Sequence, residues 1–292
     1  MADDLISHNP SGDDPDKSHR FTRSNRADFQ VEHDVDVHRF EGGFGLLYDR
    51  YLIKKVQKAQ LPAHVAIIMD GNRRFALAGG MARNEGHRMG KEKVREVMRW
   101  CRDIGIKYLT VYALSTENLF SRSKPELETL FDLYESGFLE LAEDKEIQRD
   151  RVRCKAVGQL NQLPSRVVQA IEKAQMATKD HDQLVFTVCL AYGARQELVD
   201  AIKGIVIDHA SGKIGLEDIS EELVSQYLYT NDLPDPDLVI RTSGEERVSN
   251  FLLWQMAYAE LFFIDVYWPA FRKRDFLRTI RTYQGRQRRY GV

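Results

Sequence analysis

The sequence predicts an α/β protein, a single domain built on a parallel sheet with helices over both faces. Three observations predict it. Six short apolar, β-branched runs recur at about 64–69, 108–114, 152–158, 184–191, 238–241 and 261–267. Helical apolar periods fill most of the gaps between them. The polar residues suited to chemistry follow strand ends, where open α/β sheets bind their ligands. At 292 residues and 43% hydrophobic content, the chain is long enough to bury one sizeable core.

Taken in order, residues 1–45 are rich in Asp, Ser, His and Arg, lack periodicity, and read as a flexible polar tail. Within it His33, Asp34, Asp36 and His38 read as a solvated stretch rather than a metal site. The one domain then spans 46–292. A short amphipathic helix fits 46–56 and stops near Leu61 and Pro62. The run from His64 to Met69 delivers Asp70 into the turn Gly71-Asn72-Arg73-Arg74. A helix over about 88–104, capped by Gly105, leads to the second strand and then to Ser115-Thr116-Glu117-Asn118. The helix expected over about 125–148 has Pro125 in its first turn and a stripe of Leu127, Leu130, Phe131, Tyr134, Phe138 and Leu141. Spacing alone makes this a core helix; it becomes a channel wall if the substrate carries a hydrocarbon tail. Helices at about 164–179, 194–210 and 217–229 complete the alternation.

Composition excludes several classes. Net charge is −2, so no global field recruits nucleic acid. Cys101, Cys154 and Cys189 are far apart in apolar segments, which reads as packing thiols in a reducing compartment. The first residues are acidic and polar, unlike a secretory leader, and no apolar run approaches the roughly 18 residues of a membrane span. A cytoplasmic protein is expected. The phosphate motifs G-x-x-x-x-G-K-[ST] and G-x-G-x-x-G are missing, as are D-D-x-x-D and a D-x-D pair after the first strand.

What remains is rich in arginine. A guanidinium donates paired hydrogen bonds to phosphate oxygens and stays charged, so Arg74, Arg83, Arg122, Arg241 and Arg247, with the Ser249 hydroxyl, are candidate diphosphate ligands. Asp70 and Glu260 are the candidate metal carboxylates, because Mg²⁺ takes few carboxylates and completes its shell with phosphate and water.

Four segments carry a family resemblance: His64 to Phe75, Gly86-His87-Arg88-Met89-Gly90, Ser115 to Asn118, and Asp237 to Glu260. They resemble the cis-prenyltransferases, the undecaprenyl diphosphate synthase family, in order over about 46–292 and including the closing Arg289-Tyr290-Gly291. The resemblance implies six mainly parallel strands, a homodimer and a hydrophobic tunnel between the sheet and two helices. It implies Mg²⁺-dependent condensation of isopentenyl diphosphate with an allylic diphosphate of farnesyl or geranylgeranyl type. The product would be a polyprenyl diphosphate, a precursor of a glycosyl carrier lipid, released with transient membrane-surface association.

Carried onto this chain, Asp70 serves metal and diphosphate activation, and Gly71, Asn72, Arg73, Arg74 and Arg83 bind the allylic diphosphate. His87, Ser115 and Asn118 form the polar group near the reacting carbons, with Asn118 in the proton-removal step. Arg241, Arg247 and Ser249 bind isopentenyl diphosphate, and Glu260 completes the metal site. Phe75 lies at the tunnel mouth, and Thr116, Glu117, Arg122 and Val248 complete the substrate-binding set. Three departures stand out: Arg73 and Phe75 follow the archaeal and eukaryotic form of the first motif, an extra residue among Leu119-Phe120-Ser121 displaces Arg122, and Ala270 replaces an acid after Trp268-Pro269. Ala113 is small where bulk would block a growing chain. The competing expectation is a non-catalytic scaffold subunit, a role in which the first-motif Asp and Arg are lost.

Overall fold

Five-residue runs of β-branched and aliphatic side chains buried on both faces form the centre of the molecule, as strands covered by helices on two sides require. A computed structural model describes residues 43–286. Residues 1–42 of the expected tail and the closing Arg289-Tyr290-Gly291 lie outside them. The strands are β1 (His64–Ile68), β2 (Tyr108–Tyr112), β3 (Val152–Val157), β4 (Leu184–Cys189), β5 (Leu238–Thr242) and β6 (Glu260–Ile264). They form one sheet in the order β3-β4-β2-β1-β5-β6, with every pairing parallel.

The helices are α1 (Gly43–Val56), α2 (Asn72–Ala78), α3 (Arg83–Ile104), α4 (Thr116–Ser121), α5 (Lys124–Glu143), α6 (Lys145–Arg149), α7 (Ser165–Thr178), α8 (Ala194–Ala210), α9 (Glu221–Gln226) and α10 (Lys273–Gly285). Alternation along each strand sorts the core into two layers. Val65 and Ile67 join α1, α3, α5, α7 and α10 in the larger layer, whereas Ala66 and Ile68 face Tyr192, Phe251 and Leu252 in the smaller one.

Local chemistry explains where the elements differ from expectation. The helix expected over about 125–148 breaks at Asp144, whose carboxylate accepts from Glu146 N at 2.7 Å and starts α6 as its cap. The one expected over 217–229 becomes a 3₁₀ turn (Leu216–Asp218) and a short α9 capped by the Ser220 hydroxyl on Leu223 N at 3.2 Å. α2 and α4 are too short for any apolar period to reveal them. α3 ends as expected at Gly105, whose φ of 96° suits a residue without Cβ.

His64 opens β1 from inside the core. Its Nδ1 stands 2.7 Å from the Pro234 carbonyl and its Nε2 2.8 Å from the Thr110 hydroxyl. Desolvation lowers its pKa from 6.5 to about 4, against the smaller raising effects of Pro234 and Asp237. Between those values the unfolded chain takes up a proton that the fold refuses. Stability is therefore complete above pH 6.5 and falls as pH drops toward 4, by up to about 3 kcal/mol. Urea unfolding measured across that range should show the decline, and His64→Gln should flatten the His64 share of it.

Candidate active site

The sheet order turns at β1, which has β2 on one side and β5 on the other, so the crevice beyond its carboxyl end is the natural ligand position. Asp70 stands there, held by its backbone. Its N–H donates to the Thr242 hydroxyl (3.0 Å), which donates to the Asp70 carbonyl (2.7 Å), and Trp268 N donates to that carbonyl at 3.0 Å. Gly71 follows with φ 102°, and a Cβ there would come within 2.7 Å of the Tyr267 ring. Only glycine makes this turn without strain.

Arg241, at the end of β5, is buried (5% of its side chain exposed) and donates to Asp70 Oδ2 at 2.8 Å. Its other terminal nitrogen donates to the Arg247 carbonyl and to Ser249 Oγ (2.7 Å). Arg74 completes the set: 3.2 Å from Asp70 Oδ1, donating to Ser243 Oγ (2.7 Å) and Glu245 Oε1 (3.0 Å), above the Tyr267 ring. Burial acts to raise the Asp70 carboxyl, and Arg241 and Arg74 together outweigh it, so the group stays ionised below the usual range.

The loop after β5 is strained. Ser243 and Gly244 have φ of 76° and 70°, Ser249 and Asn250 φ of 48° and 61°. Such non-glycine residues persist where surrounding contacts over-determine them, commonly at functional sites. Asn250 supplies those contacts: its amide donates to Glu117 Oε1 (2.9 Å), its side-chain oxygen accepts Arg195 N (2.9 Å), and its carbonyl accepts Ala194 N (2.9 Å). The loop is thereby tied to α4, where Ser115 Oγ caps the helix on Asn118 N at 3.0 Å and Thr116 Oγ1 reaches Glu117 at 3.3 Å. Val248 packs at the edge of the smaller core layer.

Across the mouth lies a second polar group that sequence reasoning assembled incompletely. Glu126, on α5, contacts Arg122 four residues before it, Arg73 (3.7 Å) and His87 Nε2 (3.4 Å). Glu126 was not among the predicted site residues; Arg122 is an extended residue before α5, so no helical spacing linked the two in the sequence. The extra residue before Arg122 does not remove it from the site, for Arg122 Nη1 is 3.4 Å from His87 Nε2. Burial, and then the Arg122 charge, lower the His87 pKa, leaving the imidazole neutral near pH 7.

Below the rim runs a cavity, open at its mouth, between α3, α5 and the sheet. Met69, Val111, Ala113, Phe138, Phe186 and Val188 make its apolar wall, and His87 and Asn72 sit at its polar end. From the stripe on α5, Leu130, Tyr134, Phe138 and Leu141 face this channel, whereas Leu127 and Phe131 pack in the core. α2 and α3 approach closely at its mouth because Gly86 and Gly90 lack side chains: a Cβ would lie 2.0 Å from the Asn72 carbonyl and 2.4 Å from Asn72 Oδ1. Trp268 Nε1 donates to the Gly90 carbonyl at 2.9 Å and closes the corner. Phe75 is half-buried on α2.

Arg83 is exposed at the start of α3, and one expected metal ligand is placed elsewhere. Glu260 begins β6 instead of ending it, pairing with Leu238, which pairs with Val65. Asp70 lies five residues beyond Val65 along the parallel strands, about 16 Å at the strand rise. Glu260 binds Arg286 there. A shared Asp70–Glu260 metal site within one chain is thereby corrected. Among the described residues no cluster of three or more His, Cys, Asp or Glu is arranged to hold a metal ion. The residues do fit a single-carboxylate Mg²⁺ site at partly exposed Asp70, completed by diphosphate oxygens and water.

An arginine rim above an apolar tunnel defines a class of protein that grips diphosphate heads and shelters hydrocarbon tails. Residues 68–291 match the family model Prenyltransf, described as "Putative undecaprenyl diphosphate synthase". A Methanopyrus kandleri protein named tritrans,polycis-undecaprenyl-diphosphate synthase (geranylgeranyl-diphosphate specific) is 54% identical over 245 residues, covering 84% of this chain and 90% of that one. A Methanocaldococcus jannaschii protein of the same name is 51% identical over 261 residues, covering 88% and 93%. The crystal structure of lavandulyl diphosphate synthase from Lavandula x intermedia in complex with dimethylallyl diphosphate superposes with a TM-score of 0.75 at 35% identity, over 82% of this chain and 100% of that one. The chain belongs to the undecaprenyl diphosphate synthase family and is a cis-prenyltransferase. The scaffold alternative gains no support, since Asp70, Asn72 and Arg74 are all present at the mouth.

Arg241→Lys tests the rim. Lysine cannot span Asp70, the Arg247 carbonyl and Ser249 at once, and one lost charged hydrogen bond is worth about 1.5–3 kcal/mol. Steady-state kinetics should show kcat/KM lower by about 10- to 100-fold with the circular dichroism spectrum retained.

Proposed function

We propose that the chain condenses isopentenyl diphosphate repeatedly onto an allylic diphosphate of the geranylgeranyl class, giving a long polyprenyl diphosphate with new cis double bonds. The observation that carries this reading is the position of Asp70 and its arginines at the mouth of the apolar cavity. The geranylgeranyl preference and the product class follow the names of the archaeal relatives.

In each cycle the allylic C–O bond breaks, diphosphate leaves, a C–C bond forms to isopentenyl diphosphate, and that substrate loses a proton. Arg74 and Arg73 face the leaving diphosphate, and Arg241, Arg247 and Ser249 hold the second diphosphate, so cationic donors are in place where negative charge develops. Arg241 is pre-positioned by burial, whereas the more exposed Arg74 and Arg247 turn from their carboxylate partners to phosphate. His87, Ser115 and Asn118 border the reacting carbons; the neutral imidazole of His87 is the one group of the three that can take up the proton, with Asn118 orienting its removal. The dry wall below excludes water from the electron-deficient carbon. Mg²⁺ bound at Asp70 would supply charge neutralisation to the leaving group.

The product is a precursor of a glycosyl carrier lipid, handed over at a membrane surface; among the described residues no helix is long and apolar enough to cross a membrane. The chain acts as a homodimer. Edge strand β6 shows Phe263 39% exposed, with Tyr258 exposed just before it, and such an edge calls for a cover. Light scattering should return twice the chain mass.

Asp70→Ala should abolish incorporation of labelled isopentenyl diphosphate into a geranylgeranyl primer while the fold persists, and EDTA should do the same reversibly. Near-normal turnover of that variant would sink the assignment. Release of phosphate from simple esters without a prenyl acceptor would point to a hydrolase instead.

A further inference from the structure

We propose that Glu245 couples the two diphosphate sites: shared between Arg74 of one and Arg247 of the other, it makes each site bind less tightly once the other is filled. This deepens the reading of the chain as a polyprenyl diphosphate synthase and rests on it.

The acid stands between guanidiniums from two separate elements. Arg74, on α2, donates to Glu245 Oε1 at 3.0 Å, and Arg247, in the loop after β5, donates to Oε2. Each carboxylate oxygen thus serves one arginine. Arg74 and Arg247 have 42% and 62% of their side chains exposed, against 27% for Glu245, so the two cations are the members able to turn toward a ligand. The acid is the fixed member. The backbone just before it is pinned to β6 and the turn beyond: Gly244 N donates to the Ile264 carbonyl (3.0 Å) and Ser243 N to the Val266 carbonyl (2.8 Å).

Sharing makes the cost of binding at one site depend on the other. A carboxylate between two guanidiniums holds each less firmly than it would hold one alone, because each cation offsets the attraction felt by the other and the two cations repel. When a diphosphate draws Arg74 away, Glu245 tightens on Arg247. The second diphosphate must then break the stronger pair, and it leaves a bare carboxylate beside two polyanions. The same holds with the order reversed, since coupling between sites is reciprocal. The cycle has a use for this. At the end of each condensation the primer's diphosphate has been released and the extended chain keeps the diphosphate of isopentenyl diphosphate, so both sites hold one. The first must empty before the extended chain can take its place as primer. An acid that disfavours double occupancy favours that release.

The test measures the affinity for labelled isopentenyl diphosphate by equilibrium dialysis in the presence of Mg²⁺. One arm uses the free enzyme, and the other the enzyme saturated with geranylgeranyl thiolodiphosphate, whose bridging sulfur keeps the allylic bond from ionising. The readout is the ratio of the two dissociation constants, filled over free. In Glu245→Gln this ratio should fall by about fivefold relative to the wild type, the scale set by one partly exposed ion pair. Glu245→Asp keeps the charge on a shorter stem and should give a smaller fall. Circular dichroism should show both variants folded. An unchanged ratio in the folded variants would overturn the coupling, because Glu245 would then only position each arginine separately, and equal changes in the two affinities give that result. A ratio that rises would overturn it as well. Failure of the wild type to condense isopentenyl diphosphate with geranylgeranyl diphosphate would instead overturn the functional reading beneath it.

Discussion

The contact between Asp70 and buried Arg241 is the constraint on which the rest of the site depends. A guanidinium with 5% of its side chain exposed needs acceptors close by, and Asp70, the Arg247 carbonyl and Ser249 take up its two terminal nitrogens. Removing one partner of such a pair typically costs about 3–5 kcal/mol, because the other charge is left buried alone. The pair therefore welds the ends of β1 and β5 and dictates the path of the loop beyond β5. The strained backbone at Ser243, Ser249 and Asn250 follows from that path. Asn250 in turn carries the geometry to α4, so that the ends of three adjacent strands act as one rim.

Charge is divided between the rim and the cavity. Acids at the rim hold arginines ready: Glu245 receives both Arg74 and Arg247, and Glu126 receives Arg122 and Arg73. The exposed arginines are only lightly held, because such pairs in high dielectric are worth about 1 kcal/mol or less each. A diphosphate offers them more charge and better fork geometry. His87 stays neutral between Arg122 and the apolar wall, so the transition from ionic rim to hydrocarbon tunnel occurs across one imidazole.

The tunnel exists because α2 is pressed against α3 at the mouth while α3 and α5 are held apart below it. Gly86 and Gly90 let α2 lie against α3 at the mouth, and Trp268 seals that corner. Lower down, α3 meets α5 mainly through long polar side chains, which hold the helices at a distance and leave room between them. A core packed to ordinary density would have closed that space. The ionic ladder on the outside and the apolar cavity on the inside are thus two consequences of one spacing.

The alternation of strands and helices, the parallel sheet, and the placement of Asp70, Ser115 and Arg241 at strand ends were legible because each depends on local periodicity and on where a strand must stop. The amino-acid order alone also determined the diphosphate chemistry, since arginines beside a lone carboxylate admit few other ligands. It did not reveal that Glu126 joins His87 and Arg73, residues 39 and 53 positions away, because side chains from separate helices meet only through packing. Nor did it reveal that Glu260 begins its strand, at the end of the sheet opposite Asp70: strand register is a property of neighbours, and a shift of a few residues moves a carboxylate from one end of the sheet to the other. Whether the stripe on α5 faced solid core or open channel was likewise left to the tertiary structure, because an apolar face looks the same in sequence whether protein or substrate covers it.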